Sequence, residues 1–125
     1  MPDQVSNPEE MIGQELLRIH EDSYGTGAGR VDVYVLDDRY ALAVLENDVT
    51  TIEQTLLDAG KGETVQHMRM TFQEAVGASF TAVVERAVGR RVDAFVSHLH
   101  VDPMLTIEFF RLAPPAPPLD EPEDG

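Results

Sequence analysis

Three side chains that could bind a metal ion alternate along one predicted strand. They are His98, His100 and Asp102, and residues two apart on a strand point to the same face of a sheet. Imidazole and carboxylate are common ligands of zinc and iron, so this set predicts part of a metal site or a small-ligand site. No second group of ligands is evident, because His20 and His67 fall on predicted helices elsewhere in the chain. Solvated or interface histidines are therefore the favoured interpretation, and metal binding is the alternative.

A glycine-rich segment resembles a phosphate-binding loop in composition. It covers residues 25–29 (GTGAG). In dinucleotide and P-loop sites such glycines follow a strand and open a helix, whose N-terminus faces the phosphate. Here they follow a predicted helix and precede a predicted strand, which is the reverse order. We therefore interpret the segment as the end of a helix.

The sequence contains no motif for covalent or acid–base catalysis. No G-x-S-x-G elbow occurs, and the chain has no cysteine, which removes thiolate chemistry and disulfides. Asp37 and Asp38 are adjacent, but they indicate a turn, where aspartate is favoured for backbone reasons. We predict no enzymatic activity, no catalytic residue and no cofactor.

The net charge of the chain limits the classes of partner that it can bind. Its 125 residues carry a formal net charge of −14, with 23 acidic and 9 basic residues. A polyanion such as nucleic acid requires clustered basic residues, and so does an anionic membrane surface. No apolar run reaches the roughly 18–20 residues that cross a bilayer. We predict a cytoplasmic protein that binds no nucleic acid and does not insert directly into a membrane.

The longest predicted element is a helix from Gly62 to Gly89. Its apolar residues recur at spacings of three and four, which is typical of a helix that buries one face. This stripe consists of Val65, Met68, Phe72, Val76, Phe80, Val83 and Ala87. Gly89 is placed to close the helix, and Gly77 inside it predicts a kink or the close approach of another backbone.

The remaining pattern predicts one small domain. A helix capped by Asn7 runs to about Ser23, strands at 31–35 and 39–45 form a hairpin, a short helix follows Thr50, and strands at 90–101 and 104–112 form a second hairpin. The order α-β-β-α-α-β-β predicts an α+β fold in which helices cover an antiparallel four-stranded sheet. We predict that residues 1–6 are a flexible arm, 7–112 the domain, and 113–125 a disordered, acidic, proline-rich tail.

Alternation along the second hairpin predicts which side chains share a face. On the third strand, Val92, Ala94 and Val96 are expected on one side, and Phe95, Leu99 and Val101 on the other. On the last strand, Phe109 and Phe110 must point to opposite faces. Both sides of the sheet therefore carry apolar surface.

The order of several short motifs, from Gln14 to Leu112, resembles the MpsC-like domain family, named after a Na+-translocating membrane-potential-generating system. The matching segments are 25–27, 37–38, 49–56 (VTTIEQTL), Val65 with Arg69, 84–92, 95–97, His100, 102–103, Phe110 and Leu112. Ala28 and 47–48 depart from the family pattern, in loops. The resemblance implies a small cytoplasmic domain tied to a Na+ or bicarbonate transport system, with no established reaction.

The resemblance also suggests where a ligand or partner would bind. Its candidates are Gly25, Gly27, Asp38, Glu53, Arg69 and Glu85. Structural roles are the alternative, because Glu53 can close a capping box, Arg69 can pair with a carboxylate, and Glu85 can face solvent.

We therefore expect a non-enzymatic interaction or regulatory module, accessory to a membrane transport system through a protein partner such as a transporter subunit. We also expect a homodimer, because a sheet with helices on one side leaves the other side to be hidden.

Overall fold

The computed structural model describes residues 7–24, 29–46, 48–101 and 103–115. Its elements are α1 (Pro8–Tyr24), β1 (Arg30–Leu36), β2 (Tyr40–Glu46), α2 (Thr51–Asp58), α3 (Gly62–Val88), β3 (Val92–His100) and β4 (Leu105–Leu112). The predicted order and the antiparallel four-stranded sheet are confirmed. The predicted arm and residues 116–125 of the predicted tail lie outside the described residues.

The two hairpins join through their second strands, so the sheet has the order β1-β2-β4-β3. Helix α1 packs on β1, α3 packs on β3, and the two helices contact each other over the sheet. We call the side beneath them the covered face and the other side the open face. None of the described helices has both the length and the apolarity needed to cross a membrane.

Local signals near the chain turns act as the sequence predicts. The Asn7 side chain accepts a hydrogen bond from the Glu10 N–H at 2.7 Å and caps α1. Gly89 has φ of 73° and closes α3, its N–H donating to the Glu85 carbonyl at 2.8 Å. Asp37 and Asp38 adopt φ of 54° and 53° in the β1–β2 turn, a region that aspartate tolerates better than most residues.

The register of the strands assigns every side chain to a face. The open face has four rows of directly paired residues. Its two central rows are Tyr34, Leu42, Phe109 and Val96, and Asp32, Val44, Ile107 and His98. Its two outer rows are Leu36, Tyr40, Arg111 and Ala94, and Arg30, Glu46, Leu105 and His100. On the covered face Phe110 and Phe95 pack at a ring distance of 5.1 Å, so the opposite orientations of Phe109 and Phe110 are confirmed.

The predicted placement of Val92 beside Ala94 and Val96 is wrong. The pairing register shifts between Val92 and Ala94, so Val92 lies opposite Leu112 and packs against the covered core. A bulge adds one residue to a strand and thereby reverses the alternation on one side of it. The sequence pattern alone assumes an unbroken alternation.

The predicted apolar stripe of α3 is only partly correct. The helix buries Val65, Arg69, Gln73, Gly77, Phe80, Val83 and Val84, whereas Met68 is 43% exposed. Two of these buried residues, Arg69 and Gln73, are polar and interrupt the apolar stripe. Gly77 does permit a close approach, but of a side chain: a Cβ there would lie 3.1 Å from Phe95 Cε2.

The interior contains two apolar clusters. The larger is centred on Phe80, Phe110 and Leu16, and the smaller on Val65, Leu99 and Met104. Polar side chains lie between them along α3, β3 and β4, joined by one buried residue from α1 and one from α2. We call this group the polar layer, and it comprises His20, Glu53, Arg69, Gln73, Ser97, Thr106 and Glu108.

Candidate functional site

Two of the predicted candidates, Glu53 and Arg69, form a buried ion pair. Arg69 Nη2 donates to Glu53 Oε1 at 2.6 Å and Arg69 Nε donates to Glu53 Oε2 at 2.7 Å. The side chains are 1% and 2% exposed. This two-bond geometry is the strongest form of an arginine–carboxylate contact. The pair fastens α3 to the start of α2.

The same carboxylate completes the N-terminal cap of α2. Glu53 Oε1 accepts the Thr50 N–H at 3.0 Å, and Thr50 Oγ1 accepts the Glu53 N–H at 3.1 Å. The predicted capping box is therefore confirmed. Burial by itself raises the pKa of Glu53, but the hydrogen bonds from Arg69 and Thr50 outweigh it and the pKa is lowered. Glu53 is thus held as a carboxylate, and its oxygens are occupied by these contacts.

Arg69 also stabilises the segment before α2. Its Nη2 donates to the Asp48 carbonyl oxygen at 3.2 Å. One guanidinium therefore holds the entry to α2, its capping carboxylate and its own helix together. This arrangement supports the structural alternative for both residues.

Asp38 and Glu85 bind either side of the α3–β3 junction. Arg90 Nη1 donates to Asp38 Oδ2 at 3.0 Å, and Arg90 Nη2 donates to the Asp38 carbonyl oxygen. Glu85 Oε2 accepts the Val92 N–H at 2.9 Å, so Glu85 is not simply a solvent-facing residue. These contacts tie the β1–β2 turn and the end of α3 to the start of β3.

A cavity of about 310 Å³ adjoins this junction. Arg39, Arg90 and Arg111 line it together with Asp38 and Pro115. Three arginines in one place stand out in a chain with nine basic residues. Asp38 already provides a carboxylate to Arg90, which reduces the attraction of the cavity for an external anion.

The predicted metal ligands lie on the open face. His98 and His100 are exposed and lie opposite Ile107 and Leu105. His100 Nδ1 is 2.8 Å from the Pro103 carbonyl oxygen. Asp102 lies outside the described residues, and the described residues contain no group of three or more histidine or acidic side chains that could hold a metal ion. The metal-site hypothesis stays a prediction.

The candidates therefore do not form one site. Glu53 and Arg69 meet within the polar layer, Asp38 and Glu85 flank the α3–β3 junction, and His98 and His100 lie on the open face. Gly25 and Gly27 lie outside the described residues.

Sequence reasoning missed the rest of the polar layer. Gln73 is 1% exposed and Glu108 is 0% exposed, and neither side chain has a conventional hydrogen bond among the described residues. The sequence did contain one signal for these two residues, namely their positions within α3 and β4. Gln73 lies four residues from both Arg69 and Gly77, so the three share one side of α3, and Glu108 alternates with the apolar residues of β4.

The titratable groups of the polar layer have shifted pKa values. Burial raises the pKa of Glu108 to about 8, and the Ser97 hydroxyl acts weakly in the other direction. Burial, helped by the charge of Arg69, lowers the pKa of His20 to about 4. At neutral pH both side chains are therefore predominantly uncharged, which is the form that burial favours.

Comparison with known proteins identifies one family. The family model for the Na+-translocating membrane potential-generating system (MpsC) matches residues 5–113. Searches among curated proteins and among solved structures give no match. Since the family model covers nearly the whole chain, this protein belongs to the MpsC family.

Proposed function

We propose that this protein is a non-enzymatic interaction module that forms a homodimer through the open face and serves a membrane transport system as a cytoplasmic accessory. The open face is the observation that carries this proposal. Its middle consists of Leu42, Val44, Ile107 and Phe109, with Val96 beside them at 57% exposure. Apolar residues on contiguous strands form a patch, and such patches mark interaction sites.

The charge on the open face favours a second copy as the partner. Among its sixteen residues, Arg30 and Arg111 are basic and Asp32 and Glu46 are acidic, so their formal charges cancel. The whole chain carries −14, and two copies repel each other through most surfaces. Repulsion between copies is therefore low at the open face, and the outer rows can pair arginine with carboxylate across a twofold axis.

The dimensions of the open face suit a modest interface. Four strands about 4.8 Å apart and four rows about 6.8 Å apart give a footprint of roughly 500 Å². Stable interfaces bury about 800 Å² of accessible surface per partner, and side chains make accessible area larger than a flat footprint. A weak to moderate dimer is the expected result.

The contacts of the predicted site residues support a non-enzymatic role. Glu53, Arg69, Asp38 and Glu85 each satisfy a backbone or side-chain group of the fold. A catalytic acid or base instead needs hydrogen-bond reach to a substrate in a cleft. In this chain these four side chains cap a helix or hold neighbouring elements together.

The family name supports the connection to transport. MpsC is described as part of a Na+-translocating membrane potential-generating system, and no described helix has the length and apolarity to cross a membrane. We propose that the chain reaches the membrane through a protein partner, and that a Na+ or bicarbonate transporter subunit is that partner.

Sedimentation velocity of the full chain from low to high micromolar concentration tests the dimer. We expect a concentration-dependent dimer that the Val96→Asp substitution abolishes. Ile52→Asp is the matched control, because Ile52 is 70% exposed on α2 away from the sheet. A wild-type chain that stays monomeric at high micromolar concentration contradicts the dimer.

Purification of the tagged chain from its own host after gentle solubilisation of membranes tests the accessory role. Recovery of a transport subunit in a fixed ratio supports the role, and comparison of Val96→Asp with Ile52→Asp shows whether the open face is needed. Recovery of the chain without a membrane protein contradicts it.

A further inference from the structure

One carboxyl of the polar layer, that of Glu108, forms no ion pair among the described residues. Glu108 lies on the covered face in a row with Val33, Ala43 and Ser97. It is fully buried, and neither of its oxygens has a hydrogen bond of ordinary geometry among the described residues. Most buried carboxyls are paired or fully hydrogen-bonded. The isolation of Glu108 therefore requires an explanation.

A cavity between α3 and β3 reaches Ser97, the residue paired with Glu108 in the sheet. It has a volume of about 600 Å³ and is lined by Gln73, Ser97, Gly77, Phe95 and Met70, among others. We call it the chamber. Ser97 lies directly opposite Glu108 in the sheet, and the buried amide of Gln73 has no hydrogen-bond partner among the described residues. Gln73 and Ser97 thus line the chamber, Glu108 is the sheet neighbour of Ser97, and the side-chain oxygens of all three lack a hydrogen bond of ordinary geometry among the described residues.

The chemistry of these oxygens selects the type of ligand. A carboxyl, an amide carbonyl and a hydroxyl are hard oxygen donors, which prefer hard cations to soft transition metals. A single carboxylate balances a single positive charge, so a monovalent ion leaves the site neutral. A divalent ion would leave a net charge buried, which is costly.

We propose that Glu108, Gln73 and Ser97 form a binding site for an alkali cation that replaces the carboxyl proton. The protonated acid and a cation give a carboxylate–cation pair and one proton, which leaves to solvent. The site remains neutral in both states. It lies on the opposite side of the sheet from the open face, so the proposal goes beyond the dimer and does not depend on it.

The charged and titratable groups that the structure describes near Glu108 do not act as its counter-ion, so an external cation is needed to balance its carboxylate. His20 of α1 is uncharged at neutral pH because its pKa is lowered to about 4. Arg69 of α3 makes its short bonds to Glu53 of α2, and Glu74 lies at the chamber wall as a further acid. Burial raises the pKa of Glu108 and the Ser97 hydroxyl lowers it, and among the described residues no basic side chain contributes to this balance.

Proton release provides the first test on the unmodified chain. At pH 7 in weak buffer, NaCl is added against an equal ionic strength of choline chloride, with a pH indicator as the readout. We expect release of up to about one proton per chain with Na+ and none with choline, because a cation that binds the carboxylate displaces its proton. The same series with KCl and LiCl gives the order of preference among alkali ions.

Thermal unfolding in the same salts provides the second test. A ligand that binds only the native state raises its melting temperature, and we expect a rise of about 3 °C or more in the preferred alkali salt relative to choline. Glu108→Gln and Ser97→Ala should abolish or reduce this rise. Glu63→Gln, on the exposed first turn of α3, should retain it.

Two outcomes overturn the proposal. One is an equal melting temperature in all four salts without proton release, which would mean that the chamber holds only water. The other is a Glu108→Gln variant that responds to the alkali salt as the wild type does. If the Glu108 variant does not fold, the Ser97→Ala variant decides the test, because it should also show a smaller rise in melting temperature in the alkali salt.

Discussion

The two faces of the sheet differ in chemistry along the middle of β4. Beneath the helices β4 places Thr106 and Glu108, whereas the open face receives Leu105, Ile107 and Phe109. An apolar face is expected to be the one that helices cover. Here the covered face is partly polar and the open face is largely apolar.

The comparison shows that alternation assigns residues to two faces but does not say which face is covered. That choice depends on the whole contact of the helices with the sheet. The polar side chains lie between two apolar clusters, where α3 contributes Arg69 and Gln73. The helices therefore gain apolar contact at both ends and meet the polar residues in the middle.

The largest effect is expected from breaking the buried ion pair on the covered side. Arg69→Met should lower the free energy of unfolding by about 3–5 kcal/mol, because it leaves the buried carboxylate of Glu53 without its counter-charge. Urea unfolding followed by circular dichroism measures it.

Arg86→Met is the control for that substitution, since Arg86 is exposed on the same helix and should cost less than about 1 kcal/mol. The double variant Glu53→Gln with Arg69→Met should recover part of the loss, because the uncompensated charge is removed. Equal unfolding midpoints for Arg69→Met and Arg86→Met would contradict a dominant role for the pair.

Substitution of two adjacent phenylalanines compares how much each face contributes to the free energy of unfolding. Phe110→Ala on the covered face should cost about 3–5 kcal/mol, since the side chain is completely buried. Phe109→Ala on the open face should cost about 1–2 kcal/mol in the monomer, because it removes a half-buried ring stacked on Tyr40 at 5.4 Å.

The same pair separates stability from association. Measured by urea unfolding at low concentration and by sedimentation at high concentration, Phe109→Ala should weaken the dimer more than it weakens the fold. Equal losses of stability for the two variants would mean that the open face is part of the core of each chain.

A smaller effect is expected in the pH dependence of stability. Glu108 has a folded-state pKa of about 8 against 4.5 unfolded, so the unfolded state loses its proton first. The free energy of unfolding then falls by about 1.4 kcal/mol per pH unit between these values. His20 acts oppositely between 4 and 6.5, because the folded state keeps it neutral while the unfolded state binds a proton. The two slopes cancel between about pH 4.5 and 6.5, and Glu108 alone lowers the free energy of unfolding from there to about pH 8.

Urea unfolding at half-unit pH steps in choline chloride checks this result. Glu108→Gln should remove the decline between pH 6.5 and 8, because an amide does not titrate, while Glu63→Gln should keep it. A decline of the same size in both variants would assign it to other groups.

Much of the fold was predictable because its signals are local. Asn7, the Thr50–Glu53 box and Gly89 mark helix ends through bonds that span three or four residues. The Asp37–Asp38 turn similarly joins strands that are adjacent in the chain. Such features need no knowledge of distant residues.

The candidate site was less predictable because its contacts are distant. Arg69 and Glu53 are 16 residues apart, and family resemblance identified them without indicating that they bind each other. Gln73 and Glu108 are buried only because α3 packs on the sheet. The bulge at Val92 also depends on pairing with β4, and no local pattern reveals it.

The sequence by itself determined the number, type and order of the elements, because periodicity, caps and turn residues act over a few neighbours. The tertiary structure decided which face of the sheet the helices cover, which side of α3 is buried and where the polar layer lies. Those choices follow from the total contact between distant elements, in which a few buried polar groups are outweighed by the apolar clusters on either side.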